Sequence, residues 1–340
     1  LRLAARIAAM PREVRAQRLR QQIERARTRQ DAALVALLEG RFGRARELAA
    51  AALALPRSGG LPALLGARAA LEMRDFGAAA SLLARPDAQV GSLTVPRLML
   101  EAELANEQGQ PGEALAKLDA LRREAGSHTA ALRLSLRALA SAGRPAEIPA
   151  VVDQLVKRKV YDADQGAMVR ASAHADALVG LAHDGAGLRD YWNRLPEADR
   201  LHPRVARAAA AGFVRLGRDR DAVELLARSL DRHWDPALVA QFAEAKPEDD
   251  ARQLEIAERW LAQHSDDATL LFTLGRLCER AQLWGKAQTY YEASLALADH
   301  WRTRVMLGEM QARLGRIDEA NAHLAAALKL ALAELGGRSA

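Results

Sequence analysis

A short pattern recurs along this 340-residue chain about every 34 residues, and that recurrence restricts the fold more than any other feature. In Gly40-Arg41-Phe42-Gly43-Arg44-Ala45 a turn residue precedes a hydrophobic one, and Ala follows three positions later. Phe76 with Ala79, Pro111 with Ala114 and Pro145 with Ile148 repeat it at spacings of 34, 35 and 34. Leu188 opens a diverged copy after 40 residues, with Trp192 and Leu195 on the same face. Ala222, Ala257, Ala287 and Ala320 then follow at 34, 35, 30 and 33. Self-similarity at such a period marks a stack of small units, none of which can bury its apolar face without its neighbours.

The pattern inside each unit is helical. Leu271, Leu274, Gly275 and Cys278 fall at i, i+3, i+4 and i+7, the spacing of one helix face. A turn follows, often with Gly, as at Gly109, Gly143, Gly217 and Gly315, and Ala287, Tyr291, Ser294 and Leu297 then stripe a second helix. Small residues such as Gly275, Gly308 and Ala210 allow two helices to cross closely. Composition agrees: 50% of residues are hydrophobic but only 4% aromatic, with Ala and Leu dominant, where a sandwich or barrel would need Val, Ile, Thr and aromatics. The expected fold is an all-α solenoid (superhelix) of about nine helical hairpins over residues 30–335, diverged around 156–200. Its repeat core is expected at Leu274, Gly275, Cys278, Trp284, Ala287, Tyr291, Gly308 and Ala320.

Charge divides the chain unevenly. Residues 1–29 hold nine arginines and two acids, a balance of +7, whereas the remaining 311 residues balance to −1. The high pI thus belongs to an N-terminal arm, with Arg12, Arg15, Arg18, Arg20, Arg25, Arg27 and Arg29 as its dense part. A nucleic-acid-binding body should carry basic charge on a folded face, so nucleic acid is not an expected partner. A basic arm suits an anionic membrane surface or the cytoplasmic flank of a membrane anchor. No run approaches the roughly 18 apolar residues that span a bilayer. The chain opens at Leu1 rather than Met, and the expectation is that an anchor precedes it.

The segment Leu271-Phe272-Thr273-Leu274-Gly275-Arg276-Leu277-Cys278, with Leu283-Trp284-Gly285-Lys286-Ala287 and Tyr291-Glu292-Ala293-Ser294-Leu295, resembles a tetratricopeptide repeat. Asp299 stands where that repeat usually has Pro. The same blocks, and the arginine-rich arm running into Leu37-Leu38-Glu39-Gly40-Arg41-Phe42, resemble the HemY family of proteobacteria. The resemblance implies two N-terminal transmembrane helices, a repeat domain on the cytoplasmic side of the inner membrane, and an association with a late step of haem biosynthesis. It does not imply the flavin-dependent protoporphyrinogen oxidase that shares the family's name.

Enzyme chemistry finds little support. Gly185-Ala186-Gly187 is not a dinucleotide-binding G-x-G-x-x-G, there is no Walker A sequence, and the eight histidines include no H-x-x-x-H or H-x-x-E-H pair. His233, His264 and His300 sit near helix ends, where they can satisfy terminal carbonyls. Cys278 occupies a packing position, so it reads as an inert small hydrophobe. Asp249-Asp250 and Asp266-Asp267 read as helix N-caps. The chain is therefore expected to be a scaffold rather than an enzyme, with no metal and no cofactor, although a His ligand could serve haem or porphyrin.

Tetratricopeptide arrays bind partners on the surface lined by first helices. In this chain those positions hold Arg204, Arg207 and Arg215, then Phe272, Arg276, Glu279 and Arg280, then Arg302 and Arg313. Guanidinium groups pair bidentately with carboxylates, so such a groove suits an acidic peptide, a chain terminus or the propionates of a tetrapyrrole. Three functions stay open at this point: a scaffold for protein partners such as haem-biosynthesis enzymes, a generic peptide-binding adaptor for envelope proteins, and a direct tetrapyrrole carrier.

Overall fold

The computed structural model describes residues 2–89 and 91–337, with the backbone alone for residues 2–13, 15 and 336–337. No β-strand occurs among the described residues. Two compact units divide the chain, Leu1–Gly166 and Ala167–Ala340. The divide falls inside the stretch that departs most from the repeat. No helix among the described residues is long and apolar enough to cross a membrane.

The first unit is built from consecutive helical hairpins. These are α1 (Arg2–Leu38) with α2 (Phe42–Leu53), α3 (Leu61–Glu72) with α4 (Phe76–Leu83), α5 (Thr94–Glu107) with α6 (Pro111–Ala125), and α7 (Thr129–Ser141) with α8 (Ile148–Lys157). Helix α9 (Ala163–Gly180) carries the divide. The second unit continues with α10 (Gly185–Arg194) and the short α11 (Glu197–Arg200). Its hairpins are α12 (Pro203–Arg215) with α13 (Asp219–Leu230), α14 (Pro236–Phe242) with α15 (Asp250–His264), α16 (Ala268–Arg280) with α17 (Trp284–Leu297), and α18 (Trp301–Arg313) with α19 (Ile317–Gly337).

One turn closes most hairpins. Two residues before the second helix stands a left-handed residue, Gly40, Arg74, Gly109, Gly217, Gln282 or Gly315, and Gly143 stands two before the 3₁₀ turn Pro145–Glu147 that leads into α8. The next residue's N–H then reaches the carbonyl five positions back, as in Arg41 to Ala36 at 2.9 Å, Gln110 to Ala105 at 2.8 Å and Leu283 to Cys278 at 2.8 Å. This is the Schellman ending, which satisfies carbonyls that a helix terminus leaves orphaned. The glycines flagged in the sequence supply the positive φ at four of these places.

The nine recurring positions are the structural register. Ala45, Ala79, Ala114, Ile148, Leu188, Ala222, Ala257, Ala287 and Ala320 are all buried. Eight of the nine lie near the start of a helix, where a small or compact side chain lets the hairpin close; Ala257 lies in the middle of α15. Successive first helices of the second unit are also tied one repeat apart. Gln241 donates to the Arg207 carbonyl at 3.0 Å, Thr273 Oγ1 to the Val239 carbonyl at 3.2 Å, and Arg313 to Glu279 at 3.1 Å, each across 34 residues. The sequence period thus reappears as a hydrogen-bond period.

Three expectations change. Trp284, placed in the core from its sequence position, is 38% exposed at the start of α17, with the Arg313 guanidinium 5.9 Å from its ring. The boundary drawn at residue 29 is not a break: α1 runs through it, Ala26 is buried, and Arg29 donates to the Ala51 carbonyl at 2.9 Å. In the arm, Arg18, Arg20, Arg25 and Arg27 are exposed, while the side chains of Arg12 and Arg15 lie outside the described residues. Finally, α14 stops after seven residues and α15 starts at Asp250, 31 residues after the start of α13, so Ala257 lies in the middle of its helix and off the register of the other recurring positions.

Candidate functional site

First helices α12, α16 and α18 carry the residues expected to bind, and the structure divides them into four groups. Phe272 and Arg302 come together. They border a cavity of about 180 Å³ with Thr269, Ser294, His300 and Thr303. Phe272 packs on the Tyr291 ring at 5.8 Å, and Arg302 lies 5.2 Å from the centroid of Trp301. Arg276 is one turn beyond Phe272 on α16 and half-buried. Neither Arg276 nor Arg302 meets a carboxylate among the described residues.

A second group is already paired. Glu279 accepts from Arg313 at 3.1 Å and from the Tyr291 hydroxyl at 3.0 Å, which joins α16, α17 and α18. Burial, followed by the neighbouring Glu279 carboxylate, pushes the Tyr291 hydroxyl far above the usual tyrosine range, so it remains a donor. Glu279 and Arg313 therefore neutralise each other and leave the surface between them without net charge.

Arg280 departs from its expected role. Its guanidinium turns back to the loop between α14 and α15, donating to the Ala245 carbonyl at 3.1 Å and to Gln253, with its Nε 2.6 Å from Asp250 Oδ1. Gln253 is itself buried and donates to the carbonyls of Phe242 and Ala245. Phe242 is the last residue of α14 and Ala245 lies in the loop that leads to Pro247, so Gln253 serves the helix-ending carbonyl while Arg280 serves the loop carbonyls just past it. Arg280 is thus a structural clamp and not a groove residue.

The remaining arginines, Arg204, Arg207 and Arg215, are exposed on α12 and have no ion-pair partner among the described residues. The cavity at Phe272 and Arg302 includes none of them.

The smaller expectations sort by geometry. Asp249 and Asp267 do cap, accepting from Arg252 N–H at 2.9 Å and Thr269 N–H at 2.8 Å. His300 is also an N-cap, its Nδ1 accepting from Arg302 N–H at 3.1 Å, so it serves an orphaned donor rather than terminal carbonyls. His264 stacks on Trp234 at 3.6 Å. Cys278 is fully buried, and burial together with nearby Glu258 pushes its thiol up to about 11, which keeps it protonated and unreactive near neutrality. No three His, Cys, Asp or Glu side chains converge as a metal site among the described residues.

No family model and no curated protein matches the chain. Among solved structures it is similar to MamA of AMB-1, at 18% identity over 48% of this chain and 99% of that one, with a TM-score of 0.31. It is also similar to the Cut9–Hcn1 hetero-tetramer of the APC/C, at 14% identity over 88% and 65% with a TM-score of 0.34. Yeast Tom70 matches at 11% identity over 89% and 69%, again with a TM-score of 0.34. Likenesses this low carry nothing about partners. The class rests on the chain's own geometry: it is an all-α protein of tetratricopeptide-like helical hairpins.

Proposed function

We propose that this chain is a non-enzymatic protein-interaction scaffold that holds an acidic segment of a partner against α16 and α18. The observation that carries the reading is the state of Arg276 and Arg302. Arg302 lines the Phe272 cavity and Arg276 stands one turn beyond Phe272 on α16; neither has a carboxylate partner among the described residues, while Arg280 and Arg313 beside them are internally paired. Phe272 offers an apolar seat, and the two guanidinium groups offer charge-assisted hydrogen bonds to a carboxylate. Holding partners together raises their effective concentration without new chemistry.

The finer reading rests on the resemblance of the Leu271–Leu295 blocks and the basic arm to HemY. On that basis the scaffold acts on the cytoplasmic side of the inner membrane, anchored ahead of the arm, and its partners are enzymes of a late step of haem biosynthesis. Crosslinking in intact cells followed by mass spectrometry tests both levels. Capture of terminal haem-synthesis enzymes, lost in an Arg276→Glu/Arg302→Glu variant of unchanged helicity, is the expected result. Capture of unrelated envelope proteins, lost in the same variant, would keep the groove and replace the haem role with a general adaptor role. Capture unaffected by the double reversal would overturn the groove itself.

A further inference from the structure

A second concavity lies away from α16 and α18, in the part of the chain that departs most from the repeat. A cavity of about 380 Å³ opens between α10, α11 and α13. Trp192 and Phe213 line it, edge to face at 5.5 Å. Two guanidinium groups lie over these rings: Arg200 is 5.5 Å from the Trp192 centroid and Arg218 is 5.0 Å from that of Phe213. Cation–π contacts of this kind hold the charged forks in place before any ligand arrives.

The charges around the cavity pair off, leaving one over. Glu197 accepts from Arg228 of α13. Asp221 accepts from Arg218 Nε at 2.7 Å, and Glu224 from Arg220 at 3.1 Å. Arg200 meets no carboxylate among the described residues. Its Nη2 donates to the Asn193 carbonyl at 2.7 Å, while its Nε is buried with no acceptor. A buried N–H on a charged group without an acceptor is unfavourable, and an oxygen entering the cavity would relieve it.

We propose that this cavity is a binding site for a single carboxylate carried on an apolar body, and that its source is the C-terminal end of a peptide. Arg200 receives the carboxylate, and Trp192 and Phe213 receive the adjoining apolar side chain. The volume lies within the range of small-ligand sites and is enough for a few residues at a chain end. The lining offers one uncommitted cation: Arg218 and Arg228 are held by Asp221 and Glu197, so Arg200 alone is left to meet a single anionic group. The site is independent of the groove on α16 and α18, and either can exist without the other.

The probes are N-acetyl-Leu-Phe with a free carboxylate, the same dipeptide as its amide, and phenylacetate. Each is titrated into the ¹⁵N-labelled chain while the Trp192 indole N–H resonance, identified by its loss in Trp192→Phe, is followed. The free dipeptide should shift that resonance saturably and the amide should not, with Arg200→Gln weakening binding at least tenfold and Arg276→Glu leaving it unchanged. Equal binding of the amide, or no shift with any probe, overturns the site. Phenylacetate binding as tightly as the dipeptide would overturn the peptide source. If Arg200→Gln loses helicity, the acid–amide comparison on the unaltered chain decides the matter alone.

Discussion

A Cβ built on Gly275 would stand 2.4 Å from Cδ1 of the Tyr291 ring. The two residues are 16 positions apart, and Gly66 with Leu82 and Gly308 with Leu324 meet at the same interval. Each of these three hairpins therefore crosses at a glycine of its first helix under a large side chain of its second. Tyr291 is fully buried and its hydroxyl is held by Glu279, so the ring cannot swing away.

Gly275→Ala should accordingly destabilise the chain by about 1–3 kcal/mol, against the modest gain that Ala ordinarily brings to a helix interior. Gly285→Ala is the matched control. It too is helical, but a Cβ there meets nothing within 4 Å, and it should be neutral or slightly stabilising. Urea unfolding of the two variants measures the contrast, and equal midpoints would mean that the close crossing is absent.

Arg280 and Arg276, four residues apart on α16, should behave oppositely. Arg280→Glu removes the donor from the loop carbonyls just past α14 and opposes Asp250, an expected loss of about 2–4 kcal/mol. Arg276→Glu should change stability by less than about 0.5 kcal/mol, as for ordinary surface substitutions. Chemical denaturation resolves a difference of this size. A neutral Arg280→Glu would return that residue to the groove.

Gln282 turns the α16–α17 hairpin at φ 59°, where five of the equivalent turns have glycine. An L-residue is strained there, so Gln282→Gly should raise stability by about 0.5–1 kcal/mol. A rise in melting temperature reports it, and a fall would show that the glutamine side chain contributes more than its backbone costs.

Cys278 makes stability depend on alkaline pH. Its thiol pKa is about 11 in the folded chain against an ordinary 9.0, so the unfolded chain releases the proton first. The neutral thiol's contribution is intact below pH 9 and is lost between about 9 and 11, amounting to about 3 kcal/mol. Tyr290, raised to about 12 by burial and then by Glu258, adds to the slope at its upper end. Unfolding free energies measured across that window should fall less steeply in Cys278→Ala, and an identical slope would place the titration elsewhere.

Much of the fold was legible because a helical hairpin is a local object. The nine recurring small or compact residues and the turn glycines are spaced by the geometry of one unit, and that spacing survives in one dimension. The site was less legible. Phe272 and Arg302 lie in different repeats and met as neighbours of one cavity, whereas Trp284 matched a consensus position and stayed at the surface. The Arg200 cavity had no sequence signal, since its residues come from four helices with no common spacing.

The chain's sequence by itself determined the period, the helix–turn–helix unit, most of the buried alanine register and the turns made by glycine. Tertiary structure decided which arginines are free to bind. Arg276, Arg280 and Arg313 are chemically alike and sit at equally plausible positions along their helices. Stacking brings the shortened α14 within reach of one and Glu279 within reach of another, and leaves only the first without a carboxylate. An ion pair forms over a few ångströms between repeats, and no one-dimensional spacing encodes that distance.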